Sequence, residues 1–139
     1  MTFPSDSTAG IPSPESNTAL LADEGREWVV DAHGCDPAAL ADLHLLKSLF
    51  GRMVADLSLR PVAEAAWHRF PGPGGITGLW LLAESHLACH TFPEHGSMCL
   101  NLFCCRARPE WDYAAGLAEM FGATRVTVRA LDRRYAAAG

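Results

Sequence analysis

Three strand-length apolar segments follow one another with almost nothing between them. They are Ile76–Ala83, His86–Phe92 and Met98–Cys105, separated first by Glu84 and Ser85 and then by residues 93–97. A parallel pair of strands needs a crossover of a dozen or more residues, so segments this close read as antiparallel neighbours. The run Pro71-Gly72-Pro73-Gly74-Gly75 breaks the chain just before them. A weaker strand pattern spans Arg60 to Phe70.

Helical patterns flank this block. Asp36 can cap a helix with Pro37 in its first turn. Leu40, Leu43, Leu46, Phe50, Met53, Val54 and Leu57 then recur at three- and four-residue steps, the apolar face of one helix about five turns long. Pro109 opens a second helix, with Trp111, Leu117, Met120 and Phe121 inward and Gly122 ending it. A first strand runs from Trp28 to His33 and stops at Gly34. A last one, Arg125 to Leu131, alternates so that Val126, Val128 and Ala130 share a face. The order predicts an α+β two-layer sandwich: an antiparallel sheet with two helices on one face.

Residues 1–24 are rich in Ser, Thr, Pro and Gly, too polar to build a core, and read as a disordered tail before a domain at 25–139. The formal net charge of −5 argues against a nucleic-acid partner held by a basic face. No apolar run reaches the roughly 20 residues that span a bilayer, so no membrane partner is expected. The N-terminus lacks the pattern of a secretory signal, and a cytoplasmic protein is expected. Five cysteines without an export signal read as free thiols. Their spacing fits no zinc pattern, and no metal is expected.

The chemistry concentrates in Glu84-Ser85-His86-Leu87-Ala88-Cys89-His90-Thr91-Phe92-Pro93-Glu94-His95, at the end of what reads as a buried strand. Ser85 lacks the flanking glycines of a hydrolase elbow. Neighbouring strand residues point to opposite faces, so Glu84 and His86 cannot both serve Ser85. A serine in this setting has another use. Its hydroxyl can attack the preceding carbonyl to form an ester. β-Elimination then breaks the chain, and loss of ammonia leaves an N-terminal pyruvoyl group. That ketone can form a Schiff base with a substrate amine and act as an electron sink. Singly, each residue also has an ordinary reading: Ser85 bonded to backbone, His90 a satisfied buried histidine, Phe70 and Phe92 plain core.

Together, Glu84-Ser85-His86, His90-Thr91-Phe92-Pro93-Glu94 and Asn101-Leu102-Phe103-Cys104-Cys105 resemble the prokaryotic S-adenosylmethionine decarboxylase proenzymes. Their pattern is Glu-Ser-His, His-Thr-Trp-Pro-Glu, then Asp-x-Phe-x-Cys. His68-Arg69-Phe70, Ile76-Thr77-Gly78 and Gly34-Cys35-Asp36 match too, so the similarity covers about residues 27–135.

The resemblance implies cleavage between Glu84 and Ser85, giving chains 1–84 and 85–139, with Ser85 becoming the pyruvoyl cofactor. It implies that His90 and Thr77 assist processing and that Cys105 protonates the substrate carbon after carbon dioxide leaves. Phe70 and Phe92 would pack on adenine, and Glu94 would bind ribose. The implied substrate is S-adenosylmethionine, its product the aminopropyl donor for spermidine synthesis. A homodimer of cleaved protomers is the implied assembly.

The chain departs from the pattern at Phe92 (usually Trp), Asn101 (usually Asp) and Arg106 (usually Gly), and its Pro-Gly loop is about one residue longer. The loss of the aspartate at Asn101 leaves arginine or ornithine as alternative substrates. An unprocessed, non-catalytic relative is the third reading.

Overall fold

A computed structural model describes residues 24–137. Six strands are β1 (Glu24–His33), β2 (Ala66–Arg69), β3 (Ile76–Leu81), β4 (Ser85–Phe92), β5 (Ser97–Cys104) and β6 (Arg125–Arg134). Three helices are α1 (Pro37–Leu40), α2 (Leu43–Asp56) and α3 (Tyr113–Phe121). The strands form one sheet in the order β2-β3-β4-β5-β1-β6, every neighbouring pair antiparallel. The α+β sandwich with an antiparallel sheet is as expected. The count of two helices is not.

The extra helix comes from a break in the expected five-turn one. Asp36 caps α1, accepting from the Ala38 N–H at 3.1 Å, and the helix stops at Ala41. Asp42 then caps a fresh start, accepting from the Leu45 N–H at 3.1 Å. An aspartate that caps competes with continued helix through its own position. The second predicted helix also starts late. Pro109 does not open it; Asp112 does, accepting from the Ala115 N–H at 3.1 Å. Trp111 is buried ahead of the helix, its ring lying across Gly116, where a Cβ would come within 2.1 Å.

The core lies on one side of the sheet. Trp28, Val30, Leu87, Cys89, Leu100 and Leu102 meet Leu46, Leu49, Phe50, Met53, Leu117 and Phe121 in a single cluster. The strand residues between them face outward, and no helix among the described residues covers them. This corrects the expectation of a buried strand at 76–83. Strand β3 ends at Leu81, and Leu79 and Leu81 are 53% and 61% exposed. A continuous apolar run is fully buried only when both faces of a sheet are covered. Two further boundaries move. β1 begins at Glu24 rather than Trp28, and β6 continues to Arg134; Ala130 shares the face of Val126 and Val128, as expected, but is exposed where they are half-buried. The predicted tail, apart from Glu24, lies outside the described residues.

Candidate active site

Strand β4 carries two separate groups of functional side chains, one at each end and on opposite faces. The first is at its start. β3 and β4 join through a tight hairpin in which the Leu82 N–H donates to the Ser85 carbonyl at 3.0 Å, leaving Ala83 and Glu84 as the connection. The Ala83 N–H donates to the Arg60 carbonyl at 2.7 Å, tying the turn to the segment after α2. The Cys105 N–H donates to the Glu84 carbonyl at 2.8 Å. The carbonyl ahead of Ser85 is thereby held and polarised by a fixed donor, the arrangement that stabilises a developing oxyanion.

Ser85 is half-buried and pairs across the sheet with Cys104, both on the helix side. The Cys104 thiol is buried and hydrogen-bonded to Ser85; burial pushes it up to about 11, so it stays a neutral thiol. Cys105 has the opposite parity, half-buried one residue past the end of β5. The Glu84 carboxylate is clamped by two guanidiniums, Arg60 at 3.2 Å and Arg106 at 3.0 Å. Partial burial opposes its ionisation, but the two arginines outweigh that and hold the carboxyl below its ordinary value. Leu59, Arg60, Glu84, Ser85, Cys104, Arg106 and Arg108 close around a small cavity.

The second group lies at the far end of β4, on the uncovered face. Thr77 and His90 are register partners, with Thr77 Oγ1 and His90 Nδ1 3.1 Å apart. Phe70, Thr77, His90, Phe92 and Glu94 line one open cavity of about 320 Å³, with Pro71, Pro73, Gly75 and Thr91. Thr91 fixes its wall: buried, it donates to the Leu40 carbonyl at 2.8 Å and accepts from the Ile76 N–H at 2.9 Å. Phe70 and Phe92 are 50% and 37% exposed, so neither is a core aromatic.

Five of the eight residues singled out from the sequence thus share one cavity, and Glu84, Ser85 and Cys105 share the hairpin. The two groups do not meet within the chain. His90 is five residues beyond Ser85 on an extended strand, about 17 Å away at 3.3–3.4 Å per residue, and faces the other way. Sequence reasoning missed the arginine clamp. Arg106 carried a signal as a departure from the family pattern; Arg60 carried none. Asn101, the other departure, is accounted for locally: its amide donates to Glu27 Oε2 at 2.8 Å and to the Trp28 carbonyl at 3.4 Å. An aspartate there would set two carboxylates against each other.

A family model described as S-adenosylmethionine decarboxylase matches residues 26–134, nearly the whole described chain. The chain belongs to the S-adenosylmethionine decarboxylase family. Among its relatives is an S-adenosylmethionine decarboxylase proenzyme of Acetivibrio thermocellus, 33% identical over 110 residues, covering 78% of this chain and 87% of the relative. A proenzyme of Geobacillus kaustophilus is 35% identical over 108 residues, covering 75% and 83%. The S-adenosylmethionine decarboxylase proenzyme 2 of Halalkalibacterium halodurans is 35% identical over 113 residues, covering 78% and 85%. The family match spans both groups on β4.

Proposed function

We propose that this chain is a proenzyme that cuts itself between Glu84 and Ser85, converts Ser85 into a pyruvoyl group, and then decarboxylates S-adenosylmethionine. The observation that carries the reading is the Glu84 carbonyl, pinned by the Cys105 N–H directly before a serine at a hairpin tip. The residues there suit the group. A hydroxyl is adjacent to a polarised carbonyl, a small cavity adjoins it, and the neighbouring thiol of Cys104 is too weak an acid to compete as an anion. The finished pyruvoyl group supplies an electrophilic carbonyl and an electron sink that no ordinary side chain offers.

His90, held by Thr77, is the proton-transfer group of processing. It cannot reach Ser85 of its own chain. A homodimer formed through the uncovered sheet faces resolves this. A two-fold interface is isologous, so the His90 end of one protomer can meet the hairpin tip of its partner, where the Glu84–Ser85 peptide lies at the margin of the sheet rather than beneath it. The exposed Leu79 and Leu81 lie on that face and give it an apolar centre. Two composite sites then form per dimer.

The cavity beside His90 fits the substrate's remote half. Phe70 and Phe92 offer faces for adenine and for the sulfonium cation, and the Glu94 carboxylate can accept from ribose hydroxyls. Cys105, close to the cleavage point, is the proton donor to the substrate carbon that carbon dioxide leaves. The product is the aminopropyl donor for spermidine synthesis. Among the described residues no helix is long and apolar enough to cross a membrane, and a cytoplasmic dimer is the proposed state.

Denaturing mass spectrometry of the purified chain tests the first claim. Two fragments should appear, the smaller starting with a pyruvoyl-blocked residue 85. A single uncut chain, unaffected by Ser85→Ala, overturns the reading. Release of labelled carbon dioxide from S-adenosylmethionine, set against ornithine and arginine, tests the substrate.

A further inference from the structure

Three guanidiniums surround the cleavage point, and one carboxylate answers them. Arg60 and Arg106 pair with the Glu84 side chain at 3.2 and 3.0 Å. Arg108 lines the same cavity but has no carboxylate partner among the described residues: its Nη1 donates to the Ala107 carbonyl at 3.0 Å, and its Nε is buried without a partner. A buried donor left unpaired is costly, and its neighbours already give the cavity an excess of positive charge.

Self-cleavage, on which this inference rests, makes a second carboxylate there. The Ser85 hydroxyl oxygen bonds to the Glu84 carbonyl carbon. The peptide C–N bond breaks, and the hydroxyl proton ends on the Ser85 nitrogen, giving an ester with a free amine. A base then takes the Ser85 Cα proton and the Cβ–Oγ bond breaks. The electron pair leaves with that oxygen, so Glu84 departs as a carboxylate and residue 85 is left as dehydroalanine. Tautomerisation, addition of water and loss of ammonia complete the pyruvoyl group. The leaving group of the elimination is therefore a new α-carboxylate on the residue that Arg60 and Arg106 already hold.

We propose that Arg60, Arg106 and Arg108 form a leaving-group site: the clamp keeps Glu84 in place, and Arg108 receives the α-carboxylate that elimination creates. Charge-assisted, often bidentate pairing is what a guanidinium offers a carboxylate. Arg106 stands where the family pattern has glycine, so this site is a feature of this chain rather than of the pattern.

The test follows the full-length chain after synthesis, by denaturing mass spectrometry with and without hydroxylamine, which cuts the ester but not the peptide. Arg106→Gln and Arg108→Gln should each slow chain separation by about tenfold, one decade per 1.4 kcal/mol of lost stabilisation. They should accumulate a hydroxylamine-sensitive ester at unchanged melting temperature, and Arg→Lys at either position should recover part of the rate. Arg60 and Arg106 are well exposed, so Arg60→Gln/Arg106→Gln is a folded control should Arg108→Gln not fold. Separation at the unaltered rate in all variants overturns the proposal. So does slow separation with no ester, which would place the arginines before the elimination. A wild-type chain that never separates, with or without hydroxylamine, sinks the self-cleavage reading itself and this proposal with it.

Discussion

The two ends of β4 are built to opposite specifications. At Ser85 the backbone is over-determined. Donors from Leu82 and Cys105 and a carbonyl from Arg60 fix the hairpin, two arginines fix the Glu84 side chain, and little empty space remains. At His90 one anchored histidine faces an open cavity of about 320 Å³ walled by half-exposed aromatics. A reaction of the chain upon itself needs a fixed backbone and no diffusing partner, and the first end holds its backbone in place by hydrogen bonds. The second end presents surface that only a ligand or another protomer can cover. The difference teaches that one strand can present two separate sets of side chains because its faces alternate; on the proposed reading, the two sets join across an interface.

The sharpest way to break this comparison is to remove one end at a time. Ser85→Ala should abolish cleavage entirely, leaving one species at 15.0 kDa with the fold intact, since the serine is only half-buried. His90→Ala should slow cleavage by about 100-fold or more, the usual scale for losing a general acid–base group. If the ends meet across a dimer, co-expressing the two variants restores one complete site per mixed dimer. The His90→Ala chain, which keeps Ser85, should then be cut. No recovery in the mixture would mean that His90 acts within its own chain, and the dimer argument would fail.

Next in size is the interface. Leu81→Arg puts a charge on the uncovered face without touching the core, as Leu81 is 61% exposed. Burying an arginine without a partner costs several kcal/mol, enough to dissociate a dimer of ordinary affinity. Light scattering should report a monomer that melts as before and does not cleave. A Leu81→Arg dimer that still cleaves would show that this face is free.

How far this was legible beforehand follows from which interactions are local. The three middle strands and the antiparallel sheet could be read because short connections leave no alternative. The caps were misjudged where two candidates compete: Asp42 interrupts a helix whose apolar spacing runs straight through it, and Asp112 overrides Pro109. The exposure of Leu79 and Leu81 could not be read, because an apolar run looks the same whether a helix or a second protomer covers it. Ser85, Cys105 and His90 were legible as a pattern, but not their separation. Parity along β4 puts Ser85 and His90 on opposite faces, where they cannot meet within one chain.

Smaller effects test the cavity end. Phe92→Ala should raise KM for S-adenosylmethionine by about two- to tenfold with kcat changed less, since loss of a stacking face is worth roughly 0.5–1.5 kcal/mol and falls on binding. Equal losses in both constants would place Phe92 in the chemistry instead. Its 37% exposure makes a folding defect the wrong explanation for either result.

Asn101→Asp restores the family's residue and should nonetheless weaken the fold slightly. Glu27 is held below its ordinary value first by the Asn101 amide and then, against some burial, by Arg133. A carboxyl whose folded value is depressed contributes stability that is fully present above its unfolded value and is lost as pH falls through the folded one. Asparagine supports that contribution; aspartate would replace a donor with a like charge. The expected cost is about 1.5 kcal/mol at neutral pH, the low end of the range for one hydrogen bond to a charged group. It should shrink below the carboxylate range, where either the introduced aspartate or Glu27 takes up a proton and one can donate to the other. Melting curves at neutral and acid pH check the sign. A variant equally stable at both, or more stable at neutral pH, would mean that Arg133 alone fixes Glu27 and that Asn101 is there for the site rather than for the strand pair β1–β5.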